Sequence, residues 1–379
     1  MKNFFLNIVL GTFLLINSNI LAQSQYYNFT KVDSVVESAI MDHAFPGAQL
    51  LIWKDGKTIY DKPYGHFTYE ENSPAVTNKT IYDLASVTKV IATTTATMLC
   101  YDRELFSLDD LVIKYIPEFG VNGKEKITIK NLLLHNSGLP AFKKFYEWCS
   151  SPDEVLKEIY SSELDYKTGE KMVYSDLGII TLGKIIEKVT GKKLDVFCKD
   201  EIFTPLKMNT TFYNPPDSLK KLCAPTEIDN YWRNRTLQGE VHDETSAMLN
   251  GVAGHAGLFS TTSDIAKLMA VLVNKGMLDD KQFIKQSTVE FFTKRYSELS
   301  SRAIGWDTRS ETGSSSGDYF SSNSYGHTGY TGTSVWVDPE RKLFVVFLTN
   351  RVYPTRDNPR MAKVRPELHN AVIKSLEAY

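Results

Sequence analysis

Two rhythms of apolar and polar positions divide this chain. Behind Thr30, residues Val32, Val35, Val36, Ala39 and Ile40 recur at helical spacing, which predicts an amphipathic helix with Thr30 as its cap. The period then changes. QLLIW at 49–53 and TIY at 58–60 flank KDGK at 54–57, the composition of a tight β-hairpin. From Ser86 to about residue 240 the pattern is mostly helical. Within it Thr128 opens a helix over 129–134, Ser151 caps one running to about Tyr160 with Pro152 in its first position, and Ser175 caps 176–189. Ser263 is the expected cap of a further helix over 264–273. After a polar stretch rich in Ser and Gly at 310–324, strand patterns return as SVWV at 334–337 and KLFVVFL at 342–348, joined by the turn-forming DPER at 338–341.

The terminal segments therefore read as two halves of one sheet, and the helical middle as an insertion between them. This predicts an α/β (α+β) fold. One lobe, from about 28–85 and 241–379, holds the sheet; a mainly helical lobe covers about 86–240, with a cleft at the seam.

The first 22 residues follow neither rhythm. Lys2 precedes an apolar run from Phe4 to Ile16 that Asn7 interrupts and Asn17 and Asn19 close, ending in ILA at 20–22 before polar QSQ. This is the pattern of a cleaved export signal, leaving 23–379 as a single catalytic domain in the periplasm or outside the cell. A spanning helix needs about 20 continuous apolar residues. The processed chain is accordingly not expected to be an integral membrane protein, and no cysteine follows the run closely enough for lipid attachment.

Composition removes one class of partner. Of 379 residues 42% are hydrophobic, and 43 basic against 45 acidic residues leave a net charge of -2 with no basic field for nucleic acid. Export implies an oxidising compartment, in which Cys100, Cys149, Cys198 and Cys223 could pair in three ways. Their spacing matches no metal site, and Cys100 and Cys198 lie in apolar helical stretches, so core thiols are expected.

Against this background one segment carries candidate chemistry. LASVTKVIATTTATMLC at 84–100 has a single charge, Lys89, three residues after Ser86. On a helix these two share a face, so a buried amine could approach the hydroxyl and take its proton. Ser218 and Lys221 have the same spacing in a polar loop, so spacing alone decides little. Two further elements add weight: Tyr174-Ser175-Asp176 at the start of a helix in the middle lobe, and His327-Thr328-Gly329 where a strand is expected to begin. A decoy for the tyrosine element, YYN at 26–28, precedes the serine. The order Ser86, Tyr174, His327 is the three-part arrangement of the penicillin-recognising serine hydrolases.

Over roughly residues 30–375 the chain resembles β-lactamase-related serine hydrolases of the class C β-lactamase, D-alanyl-D-alanine carboxypeptidase and penicillin-binding-protein-like type. The resemblance rests on LLLHNSGLP at 132–140, HDETSAMLNGVAGHAGLFSTTSDIAKL at 242–268 and YGHTGYTGTSVWVDP at 325–339. It implies a β-lactamase/transpeptidase-like fold, with an antiparallel sheet flanked by helices. It also implies an acyl-enzyme on Ser86, proton transfers shared by Lys89 and Tyr174, and an oxyanion hole from the backbone N–H groups of Ser86 and Tyr330. Substrate binding would fall to Asp176, His327, Thr328 and Gly329; no cofactor and no metal are implied.

Two positions depart from the commonest pattern of that family. Asp176 replaces asparagine, and a carboxylate there favours the charged form of Lys89, shifting the base toward Tyr174. His327 replaces lysine, which makes the positive charge offered to a substrate carboxylate partial and pH-dependent, weakening the case for an efficient β-lactamase. Activity on carboxylate-bearing substrates should then fall more than activity on neutral esters between about pH 6 and 8. Arg351, after the last strand, is a candidate permanent anchor for a carboxylate, with a solvent-facing strand-end arginine as the competing reading. His242, Asp243, Glu244 and His255 match no common zinc spacing and read as loop or cleft residues. His135 reads as structural.

Three functions remain open at this stage. The first is an exported hydrolase acting on a peptide or small-molecule substrate, with peptidoglycan stem peptide as the leading candidate, as a D-Ala-D-Ala carboxypeptidase or related peptidase. The second keeps the machinery as an esterase or weak β-lactamase. The third is a non-catalytic binding or sensor domain. A Ser-His-Asp hydrolase is disfavoured, since no G-x-S-x-G element occurs.

Overall fold

The computed structural model describes residues 27–377. The proposed export signal lies outside them. The first helix, α1 (Thr30–Met41), buries Val32, Val36 and Ala39. Thr30 is inside it and does not cap it; the N-cap position falls to Phe29, which has no capping side chain, and Asn28 Oδ1 just before it accepts the Thr30 N–H at 2.9 Å. β1 (Gly47–Lys54) and β2 (Lys57–Gly65) form the expected hairpin. Asp55 and Gly56, at φ 48° and 90°, supply the two left-handed residues that such a turn needs.

Four more strands complete the main sheet, and three short ones form a second. In chain order they are β3 (Tyr82–Asp83), β4 (Phe212–Tyr213), β5 (Leu258–Ser260), β6 (Asp307–Thr308), β7 (Tyr325–Thr328), β8 (Ser334–Asp338) and β9 (Leu343–Thr349). The six-stranded sheet runs β6-β7-β8-β9-β1-β2, every neighbour antiparallel, while β3, β5 and β4 form a small second sheet. His327 and Thr328 end β7 rather than begin it, because Tyr325 and Gly326 already pair with Val337 and Trp336.

Central strands β1 and β9 are covered on both faces, which explains their unbroken apolar runs. Leu50, Ile52, Val345 and Phe347 pack with Val32 and Val36 of α1 and with Leu368 and Val372 of the C-terminal helix Met361–Glu377. Leu51, Trp53, Val346 and Leu348 face the other way, into a cluster with Leu268, Leu272, Val90 and Ile180. Each such side chain contributes about 1.5–3 kcal/mol when fully buried. That second cluster runs without interruption from the sheet into the helical segment, so the two lobes share one core.

The segment carrying Ser86 and Lys89 is one continuous helical rod of three kinds. A 3₁₀ turn at Ala85–Val87 leads into a wide π turn at Lys89–Thr94 and then α2 (Thr95–Asp102). There follow α3 (Ile129–Leu133) with a Thr128–Asn131 capping box, α4 (Pro152–Tyr160) capped by Ser151, and α5 (Asp176–Thr190). Ser175 Oγ accepts the Gly178 N–H at 3.4 Å to open α5, and left-handed Gly191 ends it. Further on are α6 (Glu244–Met248), capped by Asp243, and α7 (Thr262–Val273). The cap of α7 is Thr261, not Ser263, since Thr261 Oγ1 is the acceptor for Asp264 N–H. The mostly helical expectation also fails across 205–241, where Pro205, Pro215, Pro216 and Pro225 break up the chain and only a single helical turn forms at Asp217–Lys220.

All four cysteines are free thiols; Cys100, Cys198 and Cys223 are buried as core residues. No helix among the described residues is long and apolar enough to cross a membrane.

Candidate active site

Ser86 sits at the seam between the small sheet, β7 and α5. Its placement starts one residue earlier, where Ala85 takes a left-handed φ of 45°, a conformation that costs a residue with a Cβ about 1 kcal/mol or more. Asp83 holds that turn: its Oδ1 accepts the Ala85 N–H at 2.8 Å and its Oδ2 the His242 N–H at 2.7 Å. From the other side, the hydroxyls of Thr331 and Thr333 donate to the carbonyls of Asp83 and Leu84 at 2.8 and 2.9 Å. Gly329 lets the strands approach this closely, because a Cβ there would collide with Leu84 O and Thr333 Oγ1.

Lys89 is fully buried, and its Nζ faces three acceptors. Ser86 Oγ lies at 3.0 Å, the His255 carbonyl at 3.0 Å and Asp176 Oδ1 at 2.7 Å. Burial works against the charged amine, but the Asp176 carboxylate and then Tyr174 together outweigh it, and the Lys89 pKa is raised. An ammonium with its three N–H groups so directed has no lone pair to receive the Ser86 proton. This is the charged form that a carboxylate at position 176 favours, and it leaves Lys89 as a donor to Ser86 Oγ.

Tyr174 stands beside this pair with its hydroxyl buried and unpartnered among the described residues. Two cations flank its ring, Lys89 Nζ at 4.9 Å and the Arg302 guanidinium at 5.1 Å from the centroid. His135, read from sequence as structural, is what holds the Tyr174 segment. Its Nδ1 accepts the Ser175 N–H at 3.0 Å, its carbonyl accepts the Val173 N–H at 2.9 Å, and its ring lies 4.5 Å from that of Tyr174. Burial, then the nearby charges of Arg302 and Lys89, keep the His135 imidazole well below the usual histidine range.

His327 departs from its expected behaviour. Its Nδ1 donates to Thr328 O at 2.8 Å, and its Nε2 faces Arg302 Nη1 at 3.4 Å. Burial first, then Arg302 and Lys89, hold its pKa well below the ordinary value, so the ring is neutral and does not titrate between pH 6 and 8. The partial, pH-dependent charge expected there is replaced by the fixed charge of Arg302, a residue that the sequence reading missed. Ser86, Tyr174, Arg302, His327, Thr328, Gly329, Arg351 and Arg365 line one cavity of about 530 Å³.

Tyr330, half exposed, separates this cavity from a second of about 320 Å³, also reached from Ser86 and Tyr174. Among the described residues neither the Ser86 nor the Tyr330 backbone N–H donates to a protein acceptor, and both remain available to a bound oxyanion. Arg351 is not solvent-facing. Its Nε donates to Tyr330 O at 2.7 Å, its Nη1 donates to Asn358 O at 2.5 Å, and its guanidinium covers the Tyr330 ring at 4.5 Å.

The four residues considered for metal binding separate into pairs. His242 Nε2 meets Glu227 Oε2 at 2.9 Å, Glu244 pairs with Arg356 at 2.9 Å, and His255 Nε2 meets Asp243 Oδ1 at 2.8 Å. Ligand atoms of Asp176, Asp243 and His255 do lie within 4.8 Å of one another. The cation at this cluster is the Lys89 ammonium, which bonds Asp176 and the His255 carbonyl directly. Despite burial, the adjacent His255, then the Ser246 N–H and the Lys89 charge, hold Asp243 below the usual carboxylate range. Sequence spacing could not reveal this, because Asp176 and Asp243 come from different lobes.

An antiparallel sheet backed by helices, with serine, lysine and tyrosine at its seam with a helical lobe, defines a class of protein, and comparison with known chains agrees. The Beta-lactamase family model matches residues 32–369, and the chain belongs to that family. It is 36% identical to the N-acetylmuramyl-L-alanine amidase of Bacillus subtilis (strain 168), covering 90% of this chain and 86% of that one. It is 33% identical to an Escherichia coli (strain K12) protein named as a D-alanyl-D-alanine carboxypeptidase, covering 85% and 83%. In structure it is similar to a penicillin-binding protein homologue from Caulobacter crescentus, with a TM-score of 0.73 at 20% identity over 92% of this chain and 97% of that one. The β-lactamase/transpeptidase-like fold expected from sequence is the fold observed.

Proposed function

We propose that this protein is an exported serine hydrolase that cleaves peptidoglycan-derived amides through an acyl-enzyme on Ser86, as a D-Ala-D-Ala carboxypeptidase or related peptidase. The single observation that carries this reading is the Lys89 ammonium at 3.0 Å from Ser86 Oγ, anchored by Asp176 at 2.7 Å. From that position it stabilises negative charge on the serine oxygen as the proton leaves. Tyr174, with two cations beside its ring, is the group that acts: as its phenolate it takes the Ser86 proton, becoming the phenol, and then returns that proton to the leaving amine. The free N–H groups of Ser86 and Tyr330 bind the carbonyl oxygen as it becomes an oxyanion, and water releases the acyl group.

Both named relatives above act, by their names, on bonds of the bacterial cell wall, which supports a peptidoglycan substrate and an exported location. The test is to incubate the mature chain with muropeptides, nitrocefin and short-chain esters, and with a fluorophosphonate label. Muropeptide turnover and labelling that both vanish in Ser86→Ala are expected. Turnover of esters or nitrocefin alone would move the assignment to the esterase or weak β-lactamase reading, and absence of labelling would leave a binding domain.

A further inference from the structure

Of the five buried carboxylates among the described residues, four face a cation. Glu227 meets Arg356, Asp229 meets Arg233, Asp264 meets Lys267 and Asp338 meets Arg341. Asp83 is the fifth, only 2% exposed, and it forms no ion pair among the described residues. Both of its oxygens serve the backbone instead, Oδ1 accepting the Ala85 N–H at 2.8 Å and Oδ2 the His242 N–H at 2.7 Å. Burial pushes the Asp83 pKa up, and those two N–H groups pull the other way. A buried carboxylate without a counter-ion is costly, and it persists where the geometry it imposes is needed.

That geometry reaches both halves of the oxyanion hole. On one side, Ala85 is held left-handed at φ 45° by its bond to Oδ1, and the next peptide carries the Ser86 N–H. On the other side stands the turn that presents the Tyr330 N–H. It closes through Gly329 N–H to Thr333 O at 2.7 Å and Gly332 N–H to Gly329 O at 3.0 Å. Its anchors are Thr331 Oγ1, donating to the Asp83 carbonyl at 2.8 Å, and Thr333 Oγ1, donating to the Leu84 carbonyl at 2.9 Å. Oδ2 adds a second line to the same turn. His242, whose N–H it holds, bonds Glu227 through Nε2 at 2.9 Å and stacks its ring on that of Tyr330, with centroids 5.8 Å apart at 28°.

We infer that Asp83 is a positioning residue that fixes the Ser86 and Tyr330 N–H groups relative to one another, and that both carboxylate oxygens are required for it. An amide in its place keeps the shape but has one acceptor oxygen, so its NH2 would face either the Ala85 or the His242 N–H. Losing the first bond relaxes the left-handed turn before Ser86, and losing the second frees the His242 ring beside Tyr330. In either case one donor shifts against the other. The cost falls on the transition state, where the oxyanion exists, more than on bound substrate. This rests on the hydrolase reading.

The test is Asp83→Asn in the full mature chain, assayed on a short-chain ester and on its thiono analogue, in which a weakly accepting sulfur replaces the carbonyl oxygen. On the ester, kcat is expected to fall about 100-fold with KM within about three-fold of the parent, and the preference for oxygen over sulfur to shrink about ten-fold or more. Asp338→Asn removes a buried carboxylate that bonds Ser321 and Arg341, and should leave kcat and that preference within about two-fold of the parent. Thermal melts check that both variants fold. If Asp83→Asn does not, Thr331→Val decides, because it removes the hydroxyl on the Asp83 carbonyl and should also shrink the oxygen preference. A kcat within about three-fold of the parent in Asp83→Asn, or an oxygen preference undiminished in whichever variant folds, overturns the inference. Failure of the hydrolase reading is distinct: the unsubstituted chain would then show neither ester turnover nor fluorophosphonate labelling, and the inference would fall with it.

Discussion

At the scale of single residues, the charge state of Lys89 decides the mechanism. Replacing Asp176 by Asn removes the carboxylate that raises its pKa and leaves burial, which lowers it. The Asp176→Asn variant should therefore show an ionisation in its kcat/KM profile at lower pH than that of Lys89 in the parent, as the freed amine begins to serve as a base. A stopped assay series from pH 6 to about 10.5 checks it, and superimposable profiles would count against the ion pair as the controlling element. His327 gives a second expectation. Because its pKa is depressed, it has lost its proton across pH 6–8, so the ratio of activity on a carboxylate-bearing substrate to activity on a neutral ester should stay constant there. Ser86, Lys89, Tyr174 and His327 were legible from sequence as short motifs with a chemical rationale. Arg302 and Arg365 were not: each is an isolated arginine in a polar stretch, and only tertiary folding brings them to the same cavity.

At the scale of elements, the site depends on two strand-ends and a turn meeting at close range. Gly329 ends the run that begins in β7, and any side chain there must displace either the Leu84 carbonyl or the Thr333 hydroxyl. Gly329→Ala should destabilise the protein by about 1–3 kcal/mol in urea unfolding and lower kcat roughly 100-fold, because the Ser86 turn and the Tyr330 N–H are displaced together. Hairpin β1–β2 and the β8–β9 pair were legible because apolar runs and turn residues coincide. Caps were less so. Thr30 and Ser263 have suitable chemistry, but Phe29 and Thr261 lie where the backbone turns into the helix, and position overrides residue type. The mostly helical pattern of the segment to about residue 240 does not extend through 205–241, because the prolines there deny the backbone the donors a helix requires.

At the scale of the whole molecule, two lobes were expected, and their shared core governs how the protein unfolds. The cluster that includes Leu51 and Val346 of the sheet also includes Val90, Ile180 and Ile186 of the helical segment. Melting followed by far-ultraviolet circular dichroism and by tryptophan fluorescence should consequently give one coincident transition; two separated transitions would show that the lobes are independent. The same core grips α2 through Met98 and Cys100, while the strand-end contacts of Thr331 and Thr333 clamp the opposite end of the rod at Asp83 and Leu84. Between these fixed ends lies the wide turn at Lys89–Thr94, which accommodates one residue more than an ordinary helical turn would. Loss of a single codon within 90–94 would let the rod wind regularly, but it would also swing the nucleophile and its ammonium by about 100° relative to the anchored half. Evolution can therefore exchange side chains along this span far more readily than it can change the span's length.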